Sequence, residues 1–196
     1  MPDSRPHIDA PRRAGGDGVP EVFCSDEQDE VPIDLPRWRS LALSALLHEG
    51  VRGACELSLF FVDRGTMAEL NREHMGKSGA TDVLAFPLDG TELVEPSGPG
   101  RVSPGPARPH PDHDDMPYLL GDVVVCPGVA KEQYADHAGT LDDELALLVV
   151  HGILHVLGHD HDEPAATATM RERELAVLTT HHWGGPAPLD FRQEQQ

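Results

Sequence analysis

Cysteine is scarce in this chain and unpaired in pattern: Cys24, Cys55 and Cys126 are odd in number, far apart and in no C-x-x-C pair. That excludes a disulfide framework and a cysteine zinc site, and it fits a reducing compartment. Long hydrophobic runs are also missing. None approaches the roughly 20 residues a membrane helix needs, and the opening Met-Pro-Asp-Ser-Arg-Pro-His has no apolar segment of the kind a secretion signal carries. The expectation is a soluble protein of the cytoplasm, with no membrane partner. Positive charge is short as well, with 15 Lys and Arg against 34 Asp and Glu and a net charge of −19. Such a balance argues against non-specific nucleic-acid binding, which needs a basic surface. The deficit is uneven, however. Between Val31 and Asp89 there are eight acids against six bases, Arg37, Arg39, Arg52, Arg64, Arg72 and Lys77. A local basic face can be built there, although scattered bases on a solvated surface are the ordinary alternative.

What is present suits one domain with appendages. The 39% apolar content of 196 residues is enough for a core, while 18 prolines and 19 glycines exceed what a compact domain of this size carries. The excess is concentrated. Residues 1–18 are rich in Pro, Gly, Arg and Asp and read as a disordered tail. A second Pro/Gly-rich block at 90–117 reads as a mobile insertion between two strands. It contains His110, Asp112, His113, Asp114 and Asp115, which could ligate a metal but read better as a solvated charged loop, since nothing rigid holds them. The domain then runs from 19 to 183, and 184–196 is expected to be a loose end.

Within the domain, a short strand is expected at 19–24. Pro36 stands at a good first helical position, with Trp38, Leu41, Ala42, Ala45 and Leu46 at helical spacing after it. The run 54–62 alternates, with Leu57, Leu59 and Phe61 on one face and Phe60 and Val62 on the other. A short helix over 66–74, a strand over 82–86 stopped by Pro87, a strand over 118–126 and a helix over 128–137 follow. Thr140 with Asp143 matches a capping box, and Asp142, Asp143 and Glu144 suit the positive end of a helix dipole. Leu145 to Leu157 is almost wholly apolar, so this helix should be buried on most faces. A last amphipathic helix is expected over 164–180.

That buried helix carries the chemistry. His151 and His155 are four residues apart, which on an α-helix puts both on one face about 6 Å apart. Gly158 comes three residues later, where a helix can end in the left-handed turn that glycine adopts cheaply. The chain can then bend and bring His161 to the same ion. Three imidazoles leave a fourth zinc position open for water, as catalytic zinc sites do, and zinc lowers the pKa of such a water towards about 7. A lone histidine on an apolar helix is usually a satisfied core residue. Three in this arrangement without a metal would leave several buried polar groups unpaired, at about 1–3 kcal/mol each. His159 competes for the third position, but the spacing H-x-x-x-H-x-x-G-x-x-H is that of the metzincin proteases and selects His161. Those proteases place Glu beside the first histidine as general base, where this chain has Gly152. The metal ligands are kept and the protease base is lost.

The motif H-G-x-L-H-x-x-G-x-D-H, read here from His151 to His161, resembles the signature of the YbeY family of bacterial ribosome-maturation endoribonucleases. Two further blocks are similar to that family: Leu70-Asn71 followed by Thr81-Asp82-Val83-Leu84-Ala85-Phe86-Pro87, and Leu120-Gly121-Asp122 with its three valines. The resemblance covers about 19–180 without much of the 90–117 block. It implies an α/β fold, a small mixed β-sheet packed by helices, with the metal site on a buried helix and the turn after it. It further implies a single-strand-specific, zinc-dependent endoribonuclease holding one Zn²⁺ on His151, His155 and His161. Its family role is 16S rRNA 3′-end maturation and ribosome quality control. The implied partners are single-stranded rRNA and ribosomal subunits, with a ribosomal protein or an assembly GTPase as a further family-level expectation. Many members carry an arginine four residues after the Asn of the first block, where this chain has Met75. Arg72 and Lys77 are the neighbouring candidates for phosphate contact, with plain surface charge as the alternative. No general base is assigned; Asp82 and Asp160 are candidates and Asp162 also flanks the site, though each is more often a supporting or capping group.

Two other functions stay open on the sequence. One is a zinc hydrolase acting on peptides or small molecules, which Gly152 disfavours. The other is a non-catalytic ribosome-assembly factor with a structural metal, which the acidic balance and Met75 favour.

Overall fold

A computed structural model describes residues 18–88, 117–159 and 163–193. The N-terminal tail up to residue 17 and the Pro/Gly-rich block from 89 to 116 lie outside the described residues, as do Asp160, His161 and Asp162.

The chain runs β1 (Glu21–Glu27), α1 (Leu35–His48), β2 (Cys55–Val62), α2 (Arg64–Met75), β3 (Val83–Pro87), β4 (Tyr118–Val125), α3 (Pro127–Gln133), α4 (Leu141–Val156) and α5 (Pro164–Val177). A single π-helical turn, Leu178–His182, extends α5. The four strands form one mixed sheet in the order β1-β2-β4-β3. β2 runs parallel to both β1 and β4, and the edge strand β3 is antiparallel to β4. This is the small mixed sheet packed by helices that the family resemblance implies.

Alternation along β2 divides the core into two unequal parts. Leu57, Leu59 and Phe61 point to the larger cluster, where they meet Trp38, Leu41, Ala45 and Leu46 of α1 and the apolar residues of α4. Val62 points the other way, joining Met67 of α2, Leu84 of β3, and Val124 and Cys126, with Phe60 packed at its margin. Helices α1 and α4 therefore cover one face of the sheet and α2 the other. Thirteen of the sixteen residues of α4 are buried, which makes it the central helix of the molecule and explains why its sequence shows almost no polar stripe.

Each helix that shapes the site starts and stops for a local reason. Asp34 and Asp63 cap α1 and α2 by accepting the backbone N–H of Arg37 and Thr66. Gly76 closes α2 at φ +66°, a left-handed cap. Thr140 Oγ1 accepts the Asp143 N–H at 3.1 Å, as the capping pattern predicts. The reciprocal bond departs from the standard box: Asp143 Oδ2 accepts the Thr140 hydroxyl at 2.6 Å, while Oδ1 accepts Trp183 Nε1 at 2.6 Å and faces His182 Nε2 at 2.8 Å. One carboxylate thus caps α4 and ties down the π-helical turn.

Past Trp183, where composition suggests a loose end, residues 184–193 are docked. The Trp183 and Phe191 rings meet edge to face at 4.7 Å, and the Arg192 N–H donates to the His137 carbonyl at 3.1 Å. The contacts are few but long-range, so they leave no periodic trace in the local sequence. Among the described residues no helix is long and apolar enough to cross a membrane.

Burial alone would raise the Asp143 carboxyl, but the hydrogen bonds from Thr140, Trp183 and His182 and the charge of His182 outweigh it and hold its pKa below the ordinary value. The unfolded carboxyl titrates near 3.9, so this contribution is full above about pH 4. It is lost as the pH falls through the lower, folded-state value. Asp143→Asn should cost about 1–3 kcal/mol at neutral pH, and its deficit relative to wild type should shrink on acidification. Urea unfolding across a pH series measures this; a deficit that stays constant into acid would contradict it.

Candidate metal centre

Helix α4 ends inside the site it builds. Val156 is its last helical residue, and Gly158 follows at φ +84°. The Gly158 N–H donates to the His155 carbonyl at 2.9 Å and the His159 N–H to the Leu154 carbonyl at 3.0 Å. This pair of bonds is a Schellman cap, so the left-handed bend expected at Gly158 is present.

On the last two turns of α4 the imidazoles of His151 and His155 converge. Their rings meet edge to face at 4.5 Å, and the two Nε2 atoms stand 3.0 Å apart. Two nitrogens bound at 2.0–2.1 Å to one tetrahedral ion are separated by roughly 3.3 Å, so this spacing fits a shared zinc ion. His151 is 7% exposed and His155 is half-buried, which gives the pair a protected side and an accessible one. The third expected ligand, His161, lies outside the described residues, as does Asp160.

The side chain that sequence reasoning missed is Glu174 of α5. It is 4% exposed, and its Oε1 lies 2.8 Å from His151 Nδ1. Its other oxygen accepts Gln193 Nε2 at 3.0 Å. A signal for it existed: Met170, Glu174 and Val177 are the buried residues of α5. Their i, i+4, i+7 spacing defines an inward stripe with one acid in its middle. A buried carboxylate needs donors to match, and the nearest histidine supplies one.

His159 does not point to the pair. Its Nε2 faces Glu49 Oε2 at 3.6 Å, and Arg173 holds the same oxygen at 2.7 Å. Burial raises the Glu49 carboxyl, yet His159 and Arg173 together bring it below its ordinary value. Through His159 the turn after α4 is therefore anchored to the end of α1 and to α5.

Asp82 precedes β3 and is fully engaged. Oδ1 accepts the Val83 N–H at 2.8 Å and the Thr81 hydroxyl at 3.1 Å, and Oδ2 accepts Gln133 Nε2 at 2.7 Å. The same Gln133 nitrogen reaches Glu144 Oε1 at 2.8 Å, a residue 1% exposed and two turns before His151 on α4. Asp82 thus straps β3 to α3 and, through Gln133, to α4, a supporting geometry with three donors on its two oxygens.

Arg72 and Lys77 are exposed, and among the described residues neither enters an ion pair. They flank the end of α2, where Asn71 Nδ2 donates to the Gly79 carbonyl at 2.8 Å and His74 rests on Phe86 at 4.9 Å. Helix α2 lies on the sheet face opposite α4, and no hydrogen bond joins Arg72 or Lys77 to the histidine pair. Three of the other four bases of the nearly neutral segment are engaged, Arg37 with Asp142, Arg64 with Glu30 and Glu132, and Arg52 with the carbonyls of Leu47 and Val51, while Arg39 is exposed. Met75 is 45% exposed. Burial pushes the Cys24 and Cys55 thiols up to about 11 and raises that of Cys126, which keeps them in the thiol form.

Fold and site together define an α/β protein whose central helix presents a histidine pair at its C-terminal end. Comparison with known proteins gives the class a name. The family model described as Endoribonuclease YbeY matches residues 23–182. The protein named Endoribonuclease YbeY from Acidothermus cellulolyticus is 43% identical over 150 residues, covering 76% of this chain and 84% of its own. Its namesake from Renibacterium salmoninarum is 39% identical over 165 residues, covering 83% and 94%. A solution structure of TM1509 from Thermotoga maritima shares the fold, with a TM-score of 0.50 at 21% identity over 83% of this chain and 89% of that one. The chain belongs to the YbeY endoribonuclease family.

Gly152, the position where metzincins carry their base, faces the sheet. A Cβ there would come within 2.5 Å of Val123 Cγ1 and 3.3 Å of Val83 Cγ2, and β-branched valines cannot swing away. Gly152→Ala should therefore destabilise the protein by about 1–3 kcal/mol through overpacking, although alanine is the better helix former by about 1 kcal/mol. Adding Val123→Ala should recover part of the loss, giving a non-additive double-mutant cycle in denaturant unfolding. Strict additivity would show that the contact does not set the helix–sheet distance.

Proposed function

We propose that this chain is a metal-dependent endoribonuclease that cleaves single-stranded RNA, with one zinc ion held by His151, His155 and His161. In the cell it would act in the cytoplasm on ribosomal subunits, in 16S rRNA 3′-end maturation and ribosome quality control, alongside a ribosomal protein or an assembly GTPase. Membership of the YbeY family carries the activity, and the convergence of the His151 and His155 nitrogens at 3.0 Å supports the metal.

When bound, the metal would supply a Lewis acid for the phosphodiester oxygen. The chain's own residues do the rest. Glu174 and the Schellman cap hold the histidine pair and the bend after it; the turn is further fixed by the His159–Glu49–Arg173 contacts. Gly152 presents only hydrogen towards Val123, so α4 offers no carboxylate beside the first histidine, which supports RNA over peptide as substrate. Arg72 and Lys77 would meet the phosphates of a strand that passes the β3 edge, from the far face of the sheet towards the histidines.

A second reading, a ribosome-assembly factor with a structural metal, is favoured by the net charge of −19 and by Met75 at a position where many family members carry arginine. One experiment separates the two. His155→Ala should abolish zinc retention and metal-dependent cleavage of single-stranded RNA together, in preparations free of contaminating nuclease. Cleavage that survives in the variant would sink the metal-centred mechanism, and zinc-loaded wild type without cleavage would establish the assembly-factor reading.

The phosphate contacts have their own test. Replacing Arg72 and Lys77 together by Ala should weaken RNA binding and reduce the slope of log affinity against log salt by about 1–2, leaving zinc content unchanged. An unaltered slope would return both residues to plain surface charge.

A further inference from the structure

We propose that Glu174 is a positioning residue for the histidine pair, and that through Gln193 the docked C-terminal segment tunes how tightly the site holds a divalent metal. The inference rests on reading His151 and His155 as metal ligands. It adds a residue 23 positions beyond His151, on a different helix, and couples the site to the end of the chain.

An ionised carboxylate can only accept hydrogen bonds. The 2.8 Å contact between Glu174 Oε1 and His151 Nδ1 therefore requires the proton of a neutral imidazole to sit on Nδ1. The ring has one such proton, so Nε2 is left with its lone pair, and this is the nitrogen that faces His155 Nε2. Glu174 thus selects the tautomer that can bind a metal from the converging side. It also fixes the ring plane, as carboxylates behind metal-bound histidines do.

The carboxylate is itself held. Met170 and Val177 are buried one turn to either side of it, and its Oε2 accepts Gln193 Nε2 at 3.0 Å. That nitrogen also donates to the Arg171 carbonyl at 2.8 Å, which pins Gln193 to α5. Gln193 in turn follows the stretch anchored by the Trp183–Phe191 contact and the Arg192–His137 hydrogen bond. Both oxygens of Glu174 thus have donors, one from the site and one from the chain end.

The test uses the full-length protein and the metal alone. Zinc affinity is measured by competition with a chromophoric chelator for wild type, Glu174→Gln, Glu174→Leu and Gln193→Ala, with thermal unfolding of each metal-free form beside it. Glu174→Gln keeps the shape and loses the charge, and should weaken zinc about tenfold. Glu174→Leu should weaken it towards about 100-fold, and Gln193→Ala by a smaller factor. Long-range ¹H–¹⁵N correlation on the metal-free wild type at alkaline pH should show His151 protonated on Nδ1. Zinc affinities of both Glu174 variants within about twofold of wild type would overturn the positioning role while leaving the metal reading intact, and so would a His151 protonated on Nε2. Wild type that retains no zinc would overturn the metal reading itself, and this inference with it. Should Glu174→Leu fail to fold, Glu174→Gln and the tautomer measurement decide.

Discussion

The close approach of α4 to the sheet is the constraint on which the rest of the molecule depends. Gly152 stands over Val123 and Val83 at a distance that leaves no room for a Cβ, so the helix axis lies lower on the sheet than an alanine would permit. That depth buries thirteen residues of α4 and brings its last two turns beside α5. From there Glu174 reaches His151, and Glu49 with Arg173 reaches the turn beyond. A shallower helix would separate the histidines from these supports. The glycine that removes a protease-like base is the same residue that sets the depth of the helix. The packing of the helix is set at that one position.

Burial of polar groups follows a consistent rule here. Asp143, Glu144 and Glu174 are all nearly inaccessible, and each has donors from outside its own helix. Asp143 takes Trp183 and His182, Glu144 takes Gln133 and the Ala138 N–H, and Glu174 takes His151 and Gln193. A buried carboxylate without such partners would cost several kcal/mol. These three therefore act as fasteners that hold α4 in one register against α3, α5 and the chain end. Of the three, Glu174 stands directly behind the histidine pair, through His151.

Much of this was legible residue by residue. The helical spacing of Trp38, Leu41, Ala45 and Leu46 identified the buried face of α1, and the alternation of Leu57, Leu59 and Phe61 against Phe60 and Val62 identified the two faces of β2. The 151–155 interval placed two imidazoles on one helix face, and Gly158 marked the turn. Glu174 is hard to place from the sequence because its meaning depends on a helix–helix contact, and an acid in an amphipathic helix ordinarily faces water. Asp82 reads as a candidate base for the opposite reason. Its place in a motif says that it matters, while only the donors Val83, Thr81 and Gln133 around it show which segments it joins.

The sequence by itself determined what local geometry can determine. Periodicity chose helix or strand, caps and left-handed glycines chose the ends, and the four-residue interval chose a histidine pair, because each depends on neighbours within a turn or two. Tertiary structure alone decided which groups stand behind that pair. The depth of α4, the Glu174–Gln193 relay, the diversion of His159 to Glu49, and the separation of Arg72 and Lys77 onto the far sheet face all arise from contacts between segments tens of residues apart. Such contacts are set by how whole elements pack, and packing leaves no fixed spacing in the chain to read.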